Sequence, residues 1–237
     1  MLLYYITDRS QFPGGSLSQR SALLRRITEA ARSGVDLIQL REKDLTIASL
    51  EQLAREAVSA VRDHSSTTRL LINSRIDVAL AAGADGVHLT STDIAASEVR
   101  AIHASSSGMT SGPRPFTVAV SCHSVAEVRK AESHGADFVV LAPIFEKAGT
   151  DAHPLGLELL RSAARGAPVE KRVEAGDNRG RIPILALGGV NLNNAESCLR
   201  AGAAGIAAIR LFQEGNLAHT VTALRELGSA AERPSGS

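Results

Sequence analysis

The densest run of chemistry-bearing side chains is Gln39-Leu40-Arg41-Glu42-Lys43, directly after Leu37-Ile38. Side chains alternate faces along a strand, so Gln39, Arg41 and Lys43 share the face opposite Ile38 and Leu40. Two fixed cations on one face want an anion, and an Arg fork beside a Lys point charge suits phosphate. A second set lies far down the chain, with Gly188-Gly189 after one apolar run and Arg210 after another that ends in Ile209. Glycine lets backbone amides approach a phosphate closely, and Arg210 adds charge. Between these sets stand Asn73, able to orient a ring or amide, and Asp93, a candidate magnesium ligand. Asp93 also precedes the helical run Ile94, Ala95, Val99 and Ile102, where a carboxylate can cap free amides. Ser121 and His123 can touch a ligand, Ser124 with Glu127 reads as a capping box, and His88 as a residue that packs or hydrogen-bonds within its strand. A Ser-His-Asp nucleophile is discounted, because spacing alone supplies no such geometry. The loop at 142–150 has the turn chemistry of a lid. Two anion sites imply two phosphorylated groups.

Something must bring these scattered positions to one place. Short apolar runs recur at Leu2–Ile6, Leu37–Leu40, Leu70–Ile72, Gly86–Leu89, Phe116–Val120, Phe138–Leu141, Ile182–Leu187 and Gly205–Ile209. Amphipathic segments such as Ser21–Ala31 and Ala126–Ser133 lie between most of them, which predicts parallel strands with helical crossovers. Ser33-Gly34-Val35-Asp36, Ala82-Gly83-Ala84-Asp85, His134-Gly135-Ala136-Asp137 and Ala201-Gly202-Ala203-Ala204 each end a helical pattern and open a strand. A glycine there suits the left-handed residue that closes a helix. Spaced about two strand-helix units apart, they describe eight units closing on themselves, a single (β/α)8 TIM barrel. The alternative, an open doubly wound sheet, wants a glycine-rich turn after the first strand, and Ile6-Thr7-Asp8-Arg9 is not one. In a barrel the chemistry sits where strands end, and the candidate ligand-binding residues named above are sought at those ends. Segments 105–113 and 169–181 read as exposed insertions, residues 1–229 as the barrel, and 230–237 as a disordered tail.

Composition narrows the function further. The 237 residues are 44% hydrophobic but only 3% aromatic, with 26 basic and 25 acidic side chains. A net charge of +1 provides no global field for nucleic acid or an anionic membrane, so phosphate must be gripped locally. Cys122 and Cys198 have no metal-like spacing, and no stretch approaches the roughly twenty apolar residues of a membrane span. The expectation is a cytoplasmic protein that acts on small phosphorylated molecules, with homo-oligomerisation open.

Six blocks in order resemble the thiamine phosphate synthase and TenI superfamily: Gln39-Leu40-Arg41-Glu42-Lys43-Asp44, Leu71-Ile72-Asn73, Asp85-Gly86-Val87-His88-Leu89, Val120-Ser121-Cys122-His123-Ser124, Gly135-Ala136-Asp137-Phe138 and Ala186-Leu187-Gly188-Gly189-Val190. The resemblance implies a transferase that joins a pyrimidine diphosphate to a thiazole phosphate and releases diphosphate. It implies that Gln39, Arg41, Lys43 and Asn73 hold the pyrimidine diphosphate, Ser121 contacts diphosphate, Asp93 binds Mg2+, and Gly188 and Gly189 hold the thiazole phosphate. Arg41, Lys43 and Ser121 form the catalytic set, and Lys147, Ile209 and Arg210 complete the substrate-binding one. Three departures from the family pattern stand out. Ser74 occupies a place where synthases carry a second metal carboxylate, the sixth loop from Ala142 to Thr150 is altered, and Arg210 replaces a serine. TenI-type thiazole tautomerases also lack that carboxylate and resemble this chain at Phe145-Glu146, but the histidine they can carry nearby falls on Pro143. The alternatives to a synthase are therefore a tautomerase or an inactive binder of thiazole phosphate.

Overall fold

Each apolar run becomes a strand buried on both faces, as parallel strands covered by helices must be. In the computed structural model, which describes residues 1–106, 115–146, 153–165 and 181–231, the strands are β1 Leu2–Ile6, β2 Leu37–Leu40, β3 Arg69–Asn73, β4 Gly86–Leu89, β5 Thr117–Cys122, β6 Phe138–Leu141, β7 Ile184–Ala186 and β8 Gly205–Ala208. They pair in chain order, all parallel, and β8 closes onto β1 with Leu3 opposite Ile206. The expected TIM barrel is the fold. β7 is shorter than the run that announced it, because Pro183 has no N–H for the ladder and only its carbonyl is used, by the Val139 amide.

The described helices are α1 Ser16–Arg32, α2 Ile47–Arg62, α3 Ile76–Ala82, α4 Ala96–Ser106, α5 Val125–Ser133, α6 Gly156–Arg165, α7 Ala195–Arg200, α8 Arg210–Gln213 and α9 Leu217–Ala231. α9 carries Ala230 and Ala231 in its last turn, so the boundary expected at residue 229 is too early. Residues 232–237 of the expected tail, 107–113 of one expected insertion and 169–180 of the other lie outside the described residues.

Alternation sorts the core into two layers. Tyr4, Ile6, Leu37, Leu71, Ala119, Phe138, Val140, Leu185 and Ala207 fill the barrel axis. Their neighbours Leu3, Tyr5, Ile38, Leu40, Leu70 and Ile72 face outward and pack against the helices. The expected outward orientation of Leu40 is therefore observed.

The Gly-x-Asp repeat has a structural function at the opposite rim. Gly34, Gly83, Gly135 and Gly202 all have positive φ, from 67° to 99°. The aspartate two residues later reaches across to the preceding strand. Asp36 Oδ2 accepts the Leu3 amide (2.7 Å), Asp85 Oδ2 the Leu70 amide (2.8 Å) and Asp137 Oδ2 the Val118 amide (2.7 Å). In the fourth unit the Ala204 amide donates to Ile184 O (2.8 Å), as the Asp85 and Asp137 amides do to Leu70 and Val118, but Ala204 has no carboxylate to return the bond.

Candidate active site at the barrel mouth

Parallel closure puts the C-terminal ends of all eight strands on one rim, and the sequence-predicted residues meet there. Gln39 is the last inward residue of β2 and is buried. Its Nε2 donates to Asn73 Oδ1 (3.1 Å), Asn73 Nδ2 donates to Ser74 Oγ (3.2 Å), and Ser74 Oγ donates to Asp93 Oδ2 (2.7 Å). A polar chain thus crosses the ends of β2, β3 and β4. Ser74 is the one described non-glycine residue with positive φ, 56°. A side chain in that conformation is strained, and strain of this kind persists where surrounding bonds hold it, here those to Asp93 and from Asn73.

Asp93 does not cap the following helix. Its Oδ2 is taken by Ser74 and by the Thr90 amide (2.7 Å), while Glu98 accepts the Ala95 amide ahead of α4. The other oxygen, Oδ1, has no partner among the described residues. The described residues contain no cluster of three or more His, Cys, Asp or Glu side chains. A magnesium ion keeps several waters and is commonly held by one or two carboxylates plus substrate phosphate oxygens. One free carboxylate oxygen beside a serine hydroxyl fits such a site if the substrate supplies the remaining oxygens.

The alternation expected to carry Lys43 inward ends with β2 at Leu40. Lys43 lies in a turn and is exposed, whereas Glu42 is buried. Glu42 accepts from Thr7 Oγ1 (2.6 Å), from the Arg9 amide (3.1 Å) and from Arg9 Nη1 (3.1 Å). Arg9 also grips Asp44 through both terminal nitrogens (2.6 and 2.7 Å). Burial pushes the Glu42 carboxyl up, against the hydrogen bonds from Thr7 and Arg9 and the Arg9 charge. This latch fixes the β1 and β2 loops together and leaves Arg41, anchored through its amide to Thr7 Oγ1 (3.0 Å), with an unpaired guanidinium among the described residues. The Arg41 charge is felt at both Asp8 and His88, so it hangs over the mouth. Within the barrel His88 bridges Tyr4 Oη (2.9 Å) and Ser121 Oγ (2.8 Å). Burial, reinforced by Arg41 and opposed by Asp93, drives His88 down to about 3, so it is neutral. His123 is exposed and tied to Ala142 O (2.7 Å). The Ser124–Glu127 box forms, with Glu127 reaching the amide of His123 rather than that of Ser124.

Across the mouth, Gly188 and Gly189 have φ of 96° and 65°. The structure gives them a reason besides ligand approach. A Cβ on Gly188 would stand 2.7 Å from Pro143 Cα, and one on Gly189 2.6 Å from the Glu146 carbonyl. The sixth loop is laid directly on them, with Ile144 N bonded to Leu187 O (2.8 Å) and Phe145 N to Gly188 O (3.0 Å). Among the described residues the amides of Gly188 and Gly189 have no protein acceptor. Ile209 packs against the axial core beside Leu187. Arg210 starts α8 on the same rim as Arg41, exposed and without an ion pair among the described residues. Lys147 and the rest of the expected lid to Thr150 lie outside the described residues.

Sequence reasoning missed Tyr4, Glu42 and Gln213. Gln213 accepts from Tyr5 Oη (3.0 Å) and the Asp8 amide (3.2 Å) and donates to Asp8 O (2.7 Å), which holds the first loop against α8. Glu42 was visible as the acidic residue inside a basic block, whereas a tyrosine within an apolar strand carries no such signal.

The rim of this (β/α)8 barrel brings together, among the described residues, two arginines without an ion pair, a carboxamide, hydroxyl and carboxylate chain, and two backbone amides without a protein acceptor. The chain belongs to the thiamine monophosphate synthase family, whose model matches residues 3–212. It is 39% identical over 210 residues, 87% of each chain, to the thiamine-phosphate synthase of Methanospirillum hungatei. It is 33% identical over 231 residues to that of Caldanaerobacter subterraneus subsp. tengcongensis, covering 96% of this chain and 94% of the relative. Among solved structures, thiamine phosphate pyrophosphorylase from Pyrococcus furiosus superposes with a TM-score of 0.75 at 26% identity, covering 98% of this chain and 97% of the other. No described helix is long and apolar enough to cross a membrane.

Proposed function

We propose that this protein is a thiamine phosphate synthase, joining a pyrimidine diphosphate to a thiazole phosphate in the cytoplasm. The observation that carries the reading is the convergence on one rim of Arg41, Asn73 and Ser121 with Gly188, Gly189 and Arg210 facing them. In the reaction the thiazole nitrogen attacks the pyrimidine CH2 group, the carbon–oxygen bond breaks, and diphosphate leaves with the electron pair. Arg41 neutralises the departing anion, and preorganised charge of this kind lowers the barrier because it needs no reorganisation. Asn73, held by Gln39, orients the pyrimidine, and Ser121 donates to a diphosphate oxygen. The free amides of Gly188 and Gly189, with Arg210, seat the thiazole phosphate, while Ile209 and Leu187 supply an apolar wall beneath it. Asp93 and Ser74 would hold Mg2+, whose chemistry is to neutralise charge on the diphosphate oxygens.

The test supplies purified protein with both precursors, with and without a magnesium chelator, and follows thiamine phosphate and thiazole isomers. Metal-dependent condensation is expected. Isomerisation of the thiazole carboxylate phosphate unaffected by chelator would replace the reading with a tautomerase, and tight binding without turnover would replace it with a carrier. Arg41→Ala is expected to weaken diphosphate capture by about 2 to 4 kcal/mol, the scale for removing one charged partner from a hydrogen-bonded pair.

A further inference from the structure

Tyr4, His88 and Ser121 form a hydrogen-bonded row from the barrel axis to its mouth, and the direction of that row follows from what is buried. Tyr4 is completely buried, with its ring wedged edge-on against Phe138 at a centroid distance of 5.4 Å. Burial holds its phenol well above the ordinary value, so the O–H stays protonated. Among the described residues His88 Nδ1, 2.9 Å away, is the only partner of Tyr4 Oη. If Nδ1 carried the imidazole proton, the phenolic hydrogen would have no acceptor in a dry core, and an unsatisfied buried donor is costly. The phenol must therefore donate to Nδ1. A neutral imidazole has one N–H, so that proton sits on Nε2 and is donated to Ser121 Oγ at 2.8 Å. Ser121 Oγ, already accepting from below and half-buried, has no other protein partner among the described residues, which leaves its own hydrogen for the mouth.

We propose that Tyr4 and His88 are positioning residues, a one-way chain that fixes Ser121 as a hydrogen-bond donor to an anionic oxygen at the barrel mouth. The chain also forbids the opposite role. An imidazole whose Nε2 bears hydrogen cannot take the serine proton, so Ser121 recognises a ligand and is not a nucleophile. The direction of the chain stands on the ligand-free geometry, and its use rests on the synthase reading.

The experiment has two arms. In the ligand-free wild type, long-range 15N–1H correlation spectra of the imidazoles, with the His88 signals identified by their loss in His88→Gln, are expected to show Nε2 protonated and Nδ1 bare at neutral pH. In the second arm calorimetry measures binding of inorganic diphosphate to wild type, Tyr4→Phe, Ser121→Ala and the double variant. Tyr4→Phe is expected to lose the single tautomer and to bind about five- to tenfold more weakly, the scale of one hydrogen bond. The double variant is expected to bind no more weakly than Ser121→Ala, because both changes break one chain. A wild-type spectrum with Nδ1 protonated overturns the proposal, as does Tyr4→Phe with an unchanged tautomer and unchanged diphosphate binding. Strictly additive losses would also overturn it. Wild type that shows the expected tautomer but does not bind diphosphate would remove the role assigned to Ser121 along with the synthase reading, while leaving the direction of the chain intact.

Discussion

Ser74→Asp restores the second carboxylate expected of a synthase, and the structure fixes what this does. Ser74 Oγ now donates to Asp93 Oδ2 at 2.7 Å. The substitution removes that bond, which contributes about 1 kcal/mol. It also sets two carboxylates about 4 Å apart, where like charges repel by about 1 kcal/mol in water and about 4 at an effective dielectric near 20. The backbone adds little, since aspartate tolerates the left-handed conformation of position 74 better than most residues do. The metal-free variant should lose about 2 to 4 kcal/mol, or roughly 5 to 15 °C in melting temperature for a chain of this size. Magnesium, binding the native state between the two carboxylates, should return most of it, and the half-saturating concentration should fall by about tenfold or more. Thermal unfolding followed by circular dichroism across a magnesium titration reads both effects, with Ser74→Ala as the control that loses the bond without adding charge. If Ser74→Asp melts where wild type does without metal, or gains no more from magnesium, then position 74 does not face the cation site.

Other consequences are as direct. Gly188→Ala forces a Cβ to within 2.7 Å of Pro143 Cα at a φ of 96°, so it should cost about 2 to 4 kcal/mol in chemical denaturation and raise KM for the thiazole phosphate more than for the pyrimidine. An unchanged denaturation midpoint would show that the sixth loop moves aside freely. Ala204→Asp supplies the carboxylate that the fourth Gly-x-Asp unit lacks, and should raise stability by about 1 kcal/mol, seen as a melting temperature higher by about 2 to 4 °C; a lower one would break the analogy with Asp85 and Asp137. His88, held near 3 in the fold and about 6.5 when unfolded, takes up a proton only in the unfolded chain between those values. Stability is therefore full above about pH 6.5 and declines as pH falls, by about 2 kcal/mol at pH 5, before the carboxylates titrate. Urea unfolding of wild type and His88→Gln at both pH values checks this, because the variant should lack that slope.

The scaffold was largely legible in the sequence because its signals are periodic and repeated. Apolar runs found four strands to the residue, at β1, β2, β4 and β6, and β8 to within one position. The Gly-x-Asp units announced their left-handed glycines, although the aspartate bonds across to Leu3, Leu70 and Val118 depend on strand neighbours that no local pattern shows. Reading failed where a regular element stops. The alternation through Lys43 assumed a strand three residues longer than β2, and the assignment of Asp93 as a cap assumed a helix starting at Ile94 rather than Ala96. In both places bonds that no local pattern shows settle the turn: Thr7 and Arg9 draw in Glu42, and Asp93 is held by the hydroxyl of Ser74 on the neighbouring strand end and by the amide of Thr90. The row from Tyr4 to Ser121 was hidden for a related reason, since 117 positions separate its ends and only barrel closure makes them neighbours.

The bonds of Gln213 to Tyr5 and Asp8 join residues more than two hundred positions apart, and Arg26 makes three more, across 186 to 189 positions, to the carbonyls of Phe212, Glu214 and Gly215. During synthesis the first mouth loop therefore has to wait for almost the whole chain before its polar groups find their final acceptors. A chain ending before Gln213 holds all eight strands yet leaves Tyr5 Oη and the Asp8 amide without their acceptor, so the first mouth loop should set last, after β8 has closed the ring.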